Sequence, residues 1–246
     1  MSDTVTTQRN VLWPIIAAVI AFAILMGLGT WQLQRLAWKE GLLSLIEARI
    51  SATPLSVFQV EGLANADEDI RYTRVTVSGQ YDHDREQHLF QTSDGGPGWH
   101  VYTPLTLEGG RVVLVNRGFV PLDLKAQASR PESLVEGLIT VTGLARVQGR
   151  DGWFTPENDQ DANEWYWRDI PALYAAAYGN QLLENPFPFI IDAETGGDPG
   201  DVPDDGATII DISNRHFGYA LTWYGLAGTL ILVAVPFIVR RFRGAT

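Results

Sequence analysis

The sequence predicts a membrane protein in which two transmembrane α-helices flank a mainly antiparallel β, barrel- or sandwich-like, α+β extramembrane domain. Three observations point there. Asn10 to Gln34 is a run of 25 residues without a formal charge, and Phe217 to Val239 is another of 23. Between the runs lie segments in which apolar and polar residues alternate. Gly, Pro, Asn and Asp clusters punctuate those segments as turns do. The expected layout is a tail (1–10), a first span (11–33), a β-rich domain (34–213), a second span (216–239) and a basic tail (240–246).

Each run is long enough, at about 1.5 Å per residue, to cross a hydrocarbon core of roughly 30 Å. Trp13 and Trp31 sit near the two ends of the first run, where an aromatic belt places its rings. A cleaved signal peptide ending near Gly27-Leu28-Gly29 is the competing reading. The run is long for that, and Trp38 to Arg49 continues as helix until shortly before Pro54. Arg71 to Asp82 alternates, with Thr73, Val75 and Val77 on one face. Gly98 to Pro121 reads as a hairpin joined through Glu108-Gly109-Gly110. Leu138 to Val147, Phe187 to Asp192 and "EWYWRD" supply further strands. Asp169 to Asn180 reads as a helix with Asp169 as N-cap, Pro171 in the first turn and Gly179 as stop. Glu194 to Ala207, rich in Gly, Pro and Asp, reads as a mobile linker.

Composition excludes several functions. There is no cysteine, hence no disulfide, thiolate metal site or thiol nucleophile. Met1 and Met26 are the only methionines, too few for a soft-sulfur copper carrier. Residues 35–215 hold 14 of the 18 basic and 28 of the 29 acidic residues, a local net charge of -14, so nucleic acid is not expected as a partner. No nucleophile elbow, phosphate loop or dinucleotide fingerprint occurs. Arg240, Arg241 and Arg243 favour a cytoplasmic C-terminus, which puts both tails inside and the domain outside. The ten-residue N-terminal tail carries Arg9 and Asp3 and does not look like a mitochondrial presequence, which favours a bacterial cytoplasmic membrane.

Four histidines are present. His83 and His88 lie in "YDHDREQH", with Asp82, Asp84 and Glu86; this is either an oxygen–nitrogen metal cluster or the solvated face of a strand and its turn. His100 reads as a satisfied strand histidine. Glu157, Asp159, Asp161 and Glu164 could hold an acid–base pair, or simply form a polar loop entering a strand. His216 opens the second span, where an ionisable side chain is either a ligand or an interfacial imidazole capping backbone groups. On a helix, His216, Tyr219, Ala220, Trp223 and Ala227 share one face. Gly218, Thr222, Gly225 and Thr229 line the other, a small-residue seam expected to pack on Ala23, Gly27 and Thr30 of the first span. That would leave the histidine face free. Trp31, Gln32 and Arg35 close the first span at the level of Asn214, Arg215 and His216. An imidazole, arginines and aromatic walls are what an amphipathic haem would need.

"GTWQLQRLAWK" and "NRHFGYALTWYGLAG", with "YTRVTVSGQYD", "GWHVYTPL", "VLVNRGFVP" and "PENDQDANEWYWRDIPAL" between them in order, resemble the Surfeit-locus family of cytochrome oxidase assembly factors over about residues 15 to 240. Arg215 stands where the family often has Asn, and the acidic linker is idiosyncratic. The resemblance implies a non-enzymatic role: transient binding of haem a and help with its insertion into cytochrome oxidase subunit I, from a domain facing the periplasm. It implies His216 as axial ligand to the haem iron, with Tyr219, Trp223, Trp31, Arg35, Asn214 and Arg215 around the cofactor. Oxidase subunit I, haem a synthase and membrane lipid are the expected partners. A scaffold that never binds haem is the alternative, and a membrane-anchored haem or quinone redox enzyme a third reading.

Overall fold

The computed structural model describes residues 12–93, 96–179, 185–194, 203 and 215–243. They form two units, Ile46–Ile210 and a second that combines Met1–Leu45 with Asp211–Thr246. The elements in order are α1 (Leu12–Ile50), β1 (Leu55–Ser56), α2 (Val57–Asn65), β2 (Arg74–Tyr81), β3 (Gln87–Ser93), β4 (Gly96–Leu107), β5 (Val112–Pro121), β6 (Ile139–Arg146), α3 (Ile170–Tyr178), β7 (Ile190–Ala193) and α4 (His216–Arg243).

The strands of the domain close on themselves. β2 pairs with β6, β6 with β7, β7 with β5, β5 with β4, and β4 returns to β2. This is a five-stranded barrel, which decides between the two β architectures that alternation alone allowed. β7 runs parallel to β5, and β1 parallel to β2; the remaining pairs are antiparallel. Closure depends on Gly79, which pairs with Ile139 on one side and Leu107 on the other. A Cβ there would lie 2.6 Å from the Thr106 carbonyl oxygen, so no larger residue fits without moving backbone.

β5 is buried along nearly its whole length because it is covered on both faces. Val113 and Val115 join Val75, Val77, Leu105, Phe187 and Ile191 in one core, which α2 closes with Val57 and Val60. Leu114 points the other way, onto Leu173, Tyr174, Trp165 and Ile190 in a second core under α3. Each such side chain contributes about 1.5–3 kcal/mol of burial. The ends of α3 are those expected: the Asp169 side chain accepts from Ala172 N, and Gly179 stops the helix at φ 59°.

Four expectations change. "EWYWRD" is not a strand; it makes single bridges, Leu89 with Trp165 and Asp159 with Glu164, because the buried Trp165 pins an otherwise irregular loop to the edge of β3. Regular strand in "FPFIID" begins only at Ile190, with Phe187 and Phe189 spent on the core. Glu194 is no free linker residue: it forms a two-pronged ion pair with Arg74, at 2.7 and 2.8 Å. The rest of the linker, apart from Pro203, lies outside the described residues. Glu86 and His88 are not a solvated face but are buried, as discussed below.

α1 and α4 are both long and apolar enough to cross a membrane. With 39 residues, α1 runs about 58 Å, well past one hydrocarbon core, as the amphipathic extension to Arg49 predicts.

Candidate functional site

The mouth of α4 lies against α1. His216 Nδ1 is 2.7 Å from Gln32 Oε1. Two turns deeper, the Tyr224 hydroxyl is 3.2 Å from Thr30 Oγ1, and its ring fills the space beside Gly29. A Cβ at Gly29 would fall 2.7 Å from that ring, so this glycine is the small residue on which the two helices meet. Residue numbers rise along α1 as they fall along α4, so the pair is antiparallel.

α4 therefore uses the face opposite to that expected, and of the expected seam on α1 Thr30 lies at the contact while Ala23 and Gly27 do not. Ala220 and Ala227 are buried, on the same side as His216. Gly218, Gly225, Thr222 and Thr229 are exposed, as are Ala23 and Gly27. A Cβ at Gly225, Gly218 or Gly27 would meet no atom within 4 Å among the described residues. The physical reason lies in the Tyr224 ring, which needs a notch as deep as Gly29, and in the imidazole, which needs an acceptor; the threonines need neither, since Thr222 and Thr229 bond back to the carbonyls of Gly218 and Gly225 in their own helix.

Of the residues singled out from sequence, His216 is partly buried on Gln32. Trp223 lies on the same face, and its indole Nε1 is buried without a hydrogen-bond partner among the described residues. Tyr219 and Trp31 are half exposed. Arg35 stacks its guanidinium over Trp38 at 4.7 Å. Arg215 is exposed, and Asn214 lies outside the described residues. The structure thus joins His216 to the first span and leaves Tyr219, Trp31 and Arg215 facing outward. Gln32 directly follows Trp31 and stands one turn before Arg35, and its depth in the span, level with His216, is the only sequence signal for this contact.

The other histidines are tied into the domain. His83 Nε2 meets the Val135 carbonyl at 2.9 Å, and its Nδ1 lies 3.3 Å from Arg117 Nη1. His88 Nε2 meets Glu86 Oε1 at 3.0 Å, and the same oxygen takes Arg130 Nη2. Burial alone would raise the Glu86 carboxyl, but His88 and Arg130 outweigh it and hold it below the usual glutamate value. His100 Nδ1 bonds Asn116 Oδ1 at 3.2 Å. Glu164 pairs with Lys125 at 3.1 Å. Among the described residues no group of three or more His, Asp or Glu is arranged to hold a metal ion.

Comparison with known proteins covers these features. The SURF1 family model matches residues 19–228, a range that includes Gln32, Trp223 and His216. Surfeit locus protein 1 of Mus musculus is 31% identical over 239 residues, spanning 89% of this chain and 74% of that protein. Surfeit locus protein 1 of Homo sapiens is 32% identical over 82% of this chain and 69% of its own length. A SURF1-like protein of Monosiga brevicollis is 33% identical, over 90% and 85%. With two apolar helices around a closed β domain and a match over most of its length, the chain belongs to the SURF1 family of cytochrome oxidase assembly factors.

Proposed function

We propose that this protein takes temporary custody of haem a through His216 and aids its insertion into cytochrome oxidase subunit I. The observation that carries this reading is the 2.7 Å contact between His216 Nδ1 and Gln32 Oε1. A glutamine carbonyl accepts, and in the neutral tautomer that donates to it from Nδ1 the Nε2 atom keeps its lone pair. A hydrogen bond on the far ring nitrogen is also what orients imidazoles that ligate metals. Trp223 Nε1, without a partner among the described residues, supplies one donor on the same helix face for a polar substituent of the cargo. When bound, haem offers an iron atom that accepts one nitrogen ligand. The chain's own part is to fix the imidazole, expose aromatic surface through Tyr219 and Trp31, and offer Arg215 as a cation at the membrane boundary. Ala220 and Ala227 have no part in holding the ring, since α1 covers them. The domain faces the periplasm of a bacterial cytoplasmic membrane in this reading and docks subunit I or the haem synthase.

The test is the visible spectrum of full-length protein purified from cells that make haem a. His216→Ala should lower the bound haem at least about tenfold, or change its ligation state, since one axial bond is removed while alanine keeps the helix. Protein yield should hold. An unchanged spectrum and stoichiometry in His216→Ala removes this residue from custody. A wild-type protein that never carries haem a, while still supporting oxidase assembly, makes it a haem-independent scaffold.

A further inference from the structure

Within the β domain lies a polar cavity of about 350 Å³, lined in part by His100, Asn116, Asp192, Arg146, Arg150 and Arg168. A register shift between β4 and β5 after His100 sets that histidine beside Asn116. Asn116 Oδ1 accepts from Gly118 N at 3.1 Å and from His100 Nδ1, while its Nδ2 donates to Asp192 Oδ1 at 3.0 Å. The other Asp192 oxygen holds Arg146 Nε at 3.1 Å. These four side chains satisfy one another, and the Asp192 charge is answered by Arg146. Burial first, with Arg168 and Arg146 adding to it, keeps His100 below the usual histidine value and hence neutral.

Arg168 is left over. Its Nε is shut off from solvent and has no hydrogen-bond partner, and its guanidinium makes no ion pair among the described residues. Its backbone is nevertheless fixed at the cavity: its carbonyl accepts from Gly149 N at 2.8 Å, and a Cβ on Gly149 would come within 2.9 Å of that oxygen. A partly buried guanidinium without an anion among the described residues is an unfinished ion pair. Arg150, exposed at the rim, adds a second positive charge. Such a cationic pocket runs against the net -14 of residues 35–215 and is not explained by overall charge.

We propose that this cavity binds the oxyanion group, phosphate or carboxylate, of a small molecule, with Arg168 as its main contact. The volume suits a small ligand, and the rigid fork of arginine suits either oxyanion. The site lies wholly in the β domain and does not depend on the haem reading. Two sources offer this chemistry: a free anion, or a lipid headgroup. The second is included because the segment that carries Arg150 also carries Trp153 and Phe154, at 101% and 99% exposure.

Calorimetric titration of full-length protein in detergent tests this, with inorganic phosphate, succinate and a short-chain phosphatidylglycerol as probes. Saturable binding of phosphate or succinate, weakened about tenfold or more in Arg168→Gln, supports a free-anion site. Saturation with the lipid alone, weakened in the same variant, supports a headgroup site. Arg150→Gln should weaken binding less, and serves if Arg168→Gln does not fold. Arg71→Gln, which alters an arginine paired with Asp69 elsewhere, should bind as wild type does. No saturable heat with any probe, or equal binding by wild type and both cavity variants, overturns the proposal.

Discussion

The two units differ in how many partners their central polar groups gather. In the β domain a buried charge is surrounded: Glu86 has His88 and Arg130, and Arg130 also reaches the Leu124 carbonyl and the Ser133 hydroxyl. In the helix pair, His216 has one side-chain partner among the described residues, Gln32, and Trp223 Nε1 has none. Such a cluster specifies a fold even though Glu86 Oε2 and His88 Nδ1 have no partner among the described residues, because each group removed leaves another unpaired in low dielectric. A sparsely bonded imidazole at a membrane boundary keeps a nitrogen in reserve. The same residue type is enclosed in one region and only partly covered in the other: His88 and His100 are buried, whereas His216 is not fully so.

Removing a partner inside the domain should have the largest effect. Arg130→Met keeps bulk but strands the buried Glu86 carboxylate, and should cost about 3–5 kcal/mol. Urea unfolding of the full chain, followed by tryptophan fluorescence, reads this as a lower midpoint. A loss under about 1 kcal/mol would mean that Glu86 is easily rehydrated and that the contrast between the units is weaker than drawn here.

Between the helices the effect should be smaller and confined to one face. Gly29→Leu drives a side chain into the Tyr224 ring, an overpacking worth about 1–3 kcal/mol. Gly225→Leu, on the open face, should change little. Comparing thermal aggregation of the two variants in detergent checks which face forms the seam; equal behaviour, or the reverse order, would restore the small-residue packing that spacing suggested.

The smallest effect concerns pH. Burial, aided by Arg168 and Arg146 and opposed by Asn116 and Asp192, depresses His100 in the folded domain. The unfolded chain binds a proton there near pH 6.5 while the folded domain does not, so the contribution is full above that pH. It declines as pH falls from 6.5 toward the depressed value. His100→Gln should flatten the slope of the unfolding midpoint between pH 7 and 5; an unchanged slope would show that His100 is protonated in the fold as readily as out of it.

Much of this architecture is written locally. The two spans follow from charge-free length, the extension of α1 from continued helical spacing, and α3 from Asp169, Pro171 and Gly179. β2, β5 and β6 follow from alternation and the Gly109-Gly110 turn. Two elements were legible but unread or obscured. The Ser56–Gln59 capping box announces α2. β3 hides behind its composition, because Gln87 and His88 are buried polar residues and no alternation shows.

The sequence by itself determined most of the helices and strands and that His216 opens the second apolar helix, since propensity, period and hydropathy belong to each stretch of chain. Only the tertiary structure decided that the strands close into a barrel, that α4 turns its histidine toward α1, and that Arg168 has no ion pair among the described residues. Those outcomes rest on contacts between residues far apart in sequence: Gly79 with Leu107, Gln32 with His216, Asn116 with Asp192. A small-residue stripe permits close packing but does not require it. The face that packed is the one where a ring met a notch and an imidazole met an acceptor, and that match cannot be read from either helix alone.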